Sequence, residues 1–267
     1  MKIFIAAYFL SLLLWSELGA SQSVTASREV TRSINKVSAV MGYSILEPQI
    51  TKKESEIAFS TGASLLPVPE INVAPDFGEP KTPAAIGLPI LSVFGGHEVA
   101  DRLKAIGHLS AGYMLFSGDP FGQVESLATE TWSYAFGGGL ESTIGNWRGQ
   151  ASLNFQKNLV DVSGGLVSVE IESSFSLDSS SIEYALSAQN LSLPLVLYGS
   201  YINYDAVSNF SIFEQGKPIR TFITDLNAYK VGLQYNFAGV HSLSSEFLSF
   251  EDSISYPKFS YKRSVFF

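Results

Sequence analysis

The chain has 267 residues and a formal net charge of −8, with 46% hydrophobic but only 16% charged residues. That balance excludes a disordered chain, and the acidic excess argues against nucleic acid as a partner. Cysteine is absent, which excludes disulfides, thiolate metal sites, cysteine nucleophiles and a lipidated N-terminal cysteine.

Residues 1–21 place Lys2 ahead of an apolar run from Ile3 to Trp15 and end on Gly19, Ala20 and Ser21. This is the layout of a secretory signal peptide cleaved after Ala20 or Ser21, and the run is too short for a membrane helix. Residues 22–54 read as a periplasmic segment. Within it Val30, Ile34, Val37 and Met41 form one apolar stripe, so 24–42 is expected to be an amphipathic helix. The stretch 66–84 is rich in proline, which cannot donate to a ladder, and is expected to be an extended loop.

From residue 55 to 267 the dominant pattern is alternation. Trp132, Tyr134, Phe136 and Leu140 alternate with small or polar residues, as do Trp147, Leu153 and Phe155. Val167, Val169, Ile171, Phe175 and Leu177 alternate with Ser168, Glu170, Glu172, Ser174 and Ser176, and Tyr229, Val231, Leu233, Tyr235 and Phe237 continue the theme. Successive strand side chains point to opposite faces, so this is the signal of strands with one apolar face. Runs of about 10–12 residues suit a tilted membrane crossing better than a soluble strand. Trp132, Trp147, Tyr229 and Phe237 sit toward strand ends, where a membrane barrel carries its aromatic girdles.

The fold expected is therefore all-β, an antiparallel transmembrane barrel over 55–267. Twelve candidate strands fall at about 56–65, 85–94, 106–116, 131–142, 147–157, 165–177, 181–190, 195–204, 208–213, 227–237, 241–250 and 258–267. The periplasmic connections would then be 95–105, 143–146, 178–180, 205–207 and 238–240. The outer ones, mostly longer, would be 66–84, 117–130, 158–164, 191–194, 214–226 and 251–257. Should 208–213 fail together with a neighbour, ten strands remain and the count stays even.

The last residues alternate as Phe259, Tyr261, Arg263, Val265 and Phe267 against Ser260, Lys262, Ser264 and Phe266. An aromatic final strand closing on phenylalanine resembles the assembly signal of Gram-negative outer-membrane β-barrel proteins. The resemblance implies an outer-membrane location, lipid as the surrounding medium, and the barrel-assembly machinery as a partner engaged by Phe259, Tyr261, Val265 and Phe267. Arg263 shares their parity, and a cation there costs little only near an interface.

In such a barrel the polar face lines the lumen, and its candidate residues are Arg148, Gln150, Glu170, Glu172, Lys230 and Gln234. A hairpin turning near residue 161 would set Gln150 opposite Glu172 and Ser152 opposite Glu170. The two carboxylates then read either as lumenal ion pairs with Arg148, Lys230 or Lys157, or as a cation-selective constriction. His97, His108 and His241 show no metal-ligand spacing, and the glycine run 137–139 lies inside a strand rather than before a helix. No enzyme, cofactor or metal is expected. The leading functional expectation is a narrow passive pore for small solutes. The alternative is a closed barrel displaying the loops 66–84 and 214–226. A third reading, an exported soluble β-protein, would need Trp132, Phe136, Phe155, Tyr235 and Phe237 inside a core.

Overall fold

The computed structural model describes residues 55–67, 85–113, 115–117, 124–166, 169–212, 220–251 and 254–267. The expected signal peptide, the helix at 24–42 and most of the proline-rich loop lie outside them. The strands are β1 (Ser55–Pro67), β2 (Ala85–Ala100), β3 (Leu103–Tyr113), β4 (Leu115–Ser117), β5 (Val124–Ile144) and β6 (Trp147–Leu166). They continue with β7 (Val169–Asn190), β8 (Leu195–Ile212), β9 (Arg220–Phe237), β10 (His241–Phe250) and β11 (Ile254–Phe266).

Apart from the short β4, which β3 skips to pair with β5, each strand pairs antiparallel with its neighbour in the chain, and β1 pairs with both β2 and β11, which closes the sheet. The short β4 prolongs the stave begun by β3 and pairs with the start of β2. The result is a barrel of ten staves, closed where β1 meets β11.

Ten staves arise where twelve candidate strands were expected because two pairs of them are single long strands. Residues 178–180, expected as a turn, lie within β7 and pair with 205–207 of β8, also expected as a turn. The connection 191–194, expected on the outer side, shares an end with the other short turns: Leu191 donates to the Asn146 carbonyl, and Asn236 to that of Pro194. At this turn side the chain reverses at Asp101–Arg102, Gly145–Asn146, 191–194 and 238–240. Arg102, Gly145, Ala238 and Gly239 take the left-handed backbone that tight reversals need. β1 begins and β11 ends at this same side, where the Phe267 amide donates to the Ile57 carbonyl.

The apolar face points outward. Trp132, Tyr134, Phe136, Leu140, Trp147, Leu153 and Phe155 are exposed, as are Tyr229, Val231, Leu233 and Tyr235. The inward face carries Thr131, Ser133, Glu141, Asn154, Gln156, Lys230 and Gln234, all buried. This facing corrects the soluble reading: the aromatics it needed in a core form the outer surface. A continuous apolar wall of that extent belongs against lipid, since soluble proteins expose far smaller patches.

Aromatic rings mark both borders of the belt. Toward the turns, Tyr235, Phe237, His241 and Tyr261 stack in sequence with centroids 6.0, 5.3 and 5.8 Å apart. Toward the loops, Tyr113 meets Trp132 at 5.1 Å, and Tyr201 lies between Tyr184 and Tyr229 at 6.4 and 5.4 Å. Just beyond this second border the outer wall turns polar. The Tyr201 hydroxyl donates to Asn227 Oδ1 at 2.6 Å, Asn203 donates to the same oxygen, and Asn227 donates to Glu251. Asp161, Asp178, Asp205 and Asp225 follow, all exposed, with Asp178 paired to Lys157.

Above that border the inside changes as well. Leu177, expected on the lipid face, is buried in the barrel together with Val160, Tyr204, Ala206, Leu226, Phe250 and Tyr256. β7 and β8 pair without a bulge through this region, so the strands keep their facing; inside, the apolar residues stand beside Asn158, Ser179, Ser208 and Thr224, and outside, the aspartates alternate with Leu159, Val207 and Ile223. Strands β5 to β9 run on past the lipid layer as a water-exposed sheet that keeps these residues on its inward face.

Candidate functional site

The inward side chains form three levels, set by the alternation that puts every second residue of each strand inside. At the turn side Glu141 of β5 gathers two cations and an amide. Lys104 Nζ approaches it to 3.7 Å, Arg148 Nε to 3.5 Å, and Gln150 Nε2 donates to it at 2.7 Å. Ser187 in turn donates to Gln150 Oε1 at 3.1 Å.

The middle level is a belt of buried charge. Glu183 of β7 receives Lys230 Nζ and the Ser200 hydroxyl, both at 2.5 Å. Glu246 of β10 receives Lys258 Nζ at 3.2 Å and the Tyr198 hydroxyl at 2.7 Å. Tyr198 reaches two staves across because Gly232 lies between: a Cβ at Gly232 would collide with the Tyr198 ring. Lys258 is 0% exposed, so no water channel touches it. On the facing wall His108 of β3 lies close enough to interact electrostatically with Glu183, Lys262 and Lys230. A Cβ at Gly137 would strike Asn154 and His108, so the glycine run makes room for inward side chains rather than for a phosphate.

The third level, toward the loops, is the apolar layer. Phe250 lies edge-on to Tyr204 at 6.1 Å and tilted to Tyr256 at 6.0 Å, and both tyrosines are 1% exposed. Leu226, Ala228 and Leu248 fill the space between them and the belt.

Of the sequence-predicted lumen residues, Arg148, Gln150, Lys230 and Gln234 lie on the inward face. Arg148 and Gln150 meet at Glu141, Lys230 pairs with Glu183, and Gln234 donates to Asn236 at 2.9 Å. The expected hairpin near residue 161 is corrected: β6 runs on to Leu166, so Gln150 pairs with Ser187 and Glu172 with Gly165. Glu170 and Glu172 are thereby far along β7 from Gln150, and their side chains lie outside the described residues. The acids that meet the lumenal cations are Glu141, Glu183 and Glu246. Glu141 ends the 131–141 alternation on its polar parity, and Glu183 alternates in the same way with Ile182, Tyr184 and Leu186. Phe259, Tyr261, Val265 and Phe267 all face outward, as does Arg263 beside the turn-side aromatic stack. Among the described residues no group of three or more His, Asp or Glu is placed to hold a metal.

At the turn-side mouth a cavity of about 350 Å³ is lined by Phe94, Arg148, Gln189, Gln234, Asn236 and Lys262, with the 238–240 turn at its rim.

No family model matches the chain, and no curated protein matches it. Solved structures resemble it in fold. The translocator domain of the autotransporter NalP from Neisseria meningitidis is 9% identical, with 80% of this chain and 87% of that one covered and a TM-score of 0.46. The outer membrane protease OmpT from Escherichia coli is 8% identical over 79% and 93%, with a TM-score of 0.39. An outer membrane channel from Pseudomonas putida F1 is 8% identical over 83% and 100%, with a TM-score of 0.37.

Proposed function

We propose that this chain is an outer-membrane barrel whose lumen is closed at rest, and that it works through the surfaces at its two ends. The narrow passive pore, the leading expectation from sequence, becomes the second reading. The observation that carries the proposal is the pair of stacked inner layers. The Glu183–Lys230 and Glu246–Lys258 belt lies directly beneath Tyr204, Phe250 and Tyr256, with the largest of these side chains almost wholly buried. A hydrated pore would leave its lining charges in contact with water, and buried charges survive only when paired. The proposal assigns no catalysis to the chain. An outer-membrane location is supported by the lipid-suited outer wall.

Planar-bilayer recording of the detergent-purified, folded protein tests this. The expected result is a silent membrane. Discrete, reproducible conductance steps from the unaltered protein would replace the closed barrel with the pore.

A further inference from the structure

Arg263 stands on the outer wall in uncharged company. It is exposed on β11, and the strand registers set Thr61 of β1 directly opposite it on one side and His241 of β10 on the other. Side chains paired in this way start about 5 Å apart, so three polar groups share one patch. Tyr261 and Val265 flank Arg263 along its own strand, Phe237 lies beyond His241, and Leu91 lies beyond Thr61. Among the described residues no carboxylate lies within ion-pair distance of the Arg263 guanidinium. The exposed Asp161, Asp178, Asp205 and Asp225 stand beyond the opposite border of the belt. A further donor comes from the aromatic row, where His241 Nδ1 and the Tyr261 hydroxyl share one hydrogen bond of 2.7 Å. If the hydroxyl donates, the neutral ring keeps its other N–H for an outside acceptor; if the ring donates, the hydroxyl hydrogen is kept instead. Either way a hydrogen remains beside Arg263. A guanidinium on an apolar wall calls for an oxyanion, and an aromatic border marks the level at which a bilayer holds its headgroups.

We propose that Arg263, Thr61 and the His241–Tyr261 pair form a clamp for the phosphate of a membrane phospholipid in the turn-side leaflet. The guanidinium carries the charge and the paired donors, and the His241–Tyr261 pair and the Thr61 hydroxyl donate to the phosphate from either side. The acyl chains run from the clamp toward the loop side over Leu243, Phe247 and Phe259, all exposed on the same wall. A water-soluble phosphate ester meets the same donors without that apolar contact, and a diacylglycerol meets the contact without the charge, so each is expected to bind worse. The clamp rests on the outer wall facing lipid and is independent of whether the lumen is closed.

Native mass spectrometry of the full, detergent-folded protein titrated with dioleoyl phosphatidylglycerol tests the clamp, with dioleoylglycerol and sn-glycerol 3-phosphate as controls. Saturable retention of the phospholipid is expected, with each control at least tenfold weaker. Arg263→Gln is expected to weaken the phospholipid at least fivefold, Arg263→Lys by less because the charge stays, and His241→Phe, which keeps the ring stack and loses the donor, by about twofold. Arg102→Gln, at a turn beside Asp101, is expected to bind as the parent does. Variants are compared only where the heat-modifiable gel shift of the folded barrel is retained. Should Arg263→Gln fail to fold, His241→Phe combined with Thr61→Val takes its place, with at least threefold weakening expected. The clamp is overturned by folded Arg263→Gln that binds as the parent does, or by Arg102→Gln that loses as much, which would mean bulk charge alone. Glycerol phosphate binding as tightly as the lipid would make this a site for soluble phosphate and overturn it too. Flotation of the same protein with lipid vesicles tests the facing separately: protein that floats yet fails the titration loses the clamp and keeps the facing.

Discussion

Lys258 shows what a single inward residue contributes. Its ammonium is fully buried, 3.2 Å from Glu246, and Glu246 also accepts the Tyr198 hydroxyl. Removing one member of such a pair strands the other charge away from water, at a cost of about 3–5 kcal/mol. Lys258→Met is therefore expected to lower the urea midpoint of the folded barrel sharply. Adding Glu246→Gln removes the stranded charge but keeps an oxygen for Tyr198, so the double variant is expected to regain most of the loss. Unfolding curves for the two single variants and the double decide it. Strictly additive effects would mean that the two side chains do not depend on one another. The opposite holds for Arg263, whose parity places it outside. It lies beside the turn-side stack, where His241 Nδ1 and the Tyr261 hydroxyl are 2.7 Å apart, and that border position spares it the cost of the bilayer centre.

At the scale of whole strands, β7 and β8 carry the lesson about legibility. The alternation over 131–141, 147–156 and 227–237 gives strand identity, facing and the closed barrel directly, because within the lipid belt apolar always means outward. β7 breaks that rule midway. Below Ser181 in height, Ile182, Tyr184 and Leu186 face lipid; above it, Leu177 faces the interior and Asp178 faces water. Across that exchange the apolar phase slips by one residue, and the Asp-Ser-Ser and Asp-Ala-Val stretches at 178–180 and 205–207 read as turns. They are strand residues that have left the membrane. The misplaced hairpin at 161, and with it the pairing of Gln150 with Glu172, came from reading 158–164 as a connection, where β6 in fact runs on to Leu166. Because the chain has no cysteine, the exchange can be mapped with single introduced thiols. Asp178→Cys and Asp205→Cys are expected to react with a membrane-impermeant maleimide added to intact cells. Ile182→Cys and Tyr184→Cys, on the same strand face but in lipid, are expected to stay unlabelled. Equal labelling at Asp178→Cys and Ile182→Cys would place the membrane border elsewhere.

For the molecule as a whole, the two inner layers differ in chemistry and therefore in how they stop a solute. The aromatic layer of Tyr204, Phe250 and Tyr256 excludes water by filling space. The belt below it fills space too, but its paired charges also fix the side chains in place through Tyr198 and Ser200. Passage needs both layers breached, since a hydrated cavity on either side of one intact layer still ends at a wall. Phe250→Ala with Tyr256→Ala is expected to leave the bilayer silent, and so is Glu246→Ala with Lys258→Ala, which removes both charges together. Combining the four substitutions is expected to produce discrete conductance in protein that still shows the folded gel shift. The backbone ladder that closes β1 on β11 is untouched by all of them, so the wall survives while its filling is lost. Conductance from the aromatic variant alone would mean that the belt leaks, and one layer would then account for the closure. Silence in the combined variant would place the seal among the inward residues of the facing wall, near His108, Asn154 and Asn158, which are the next to be trimmed.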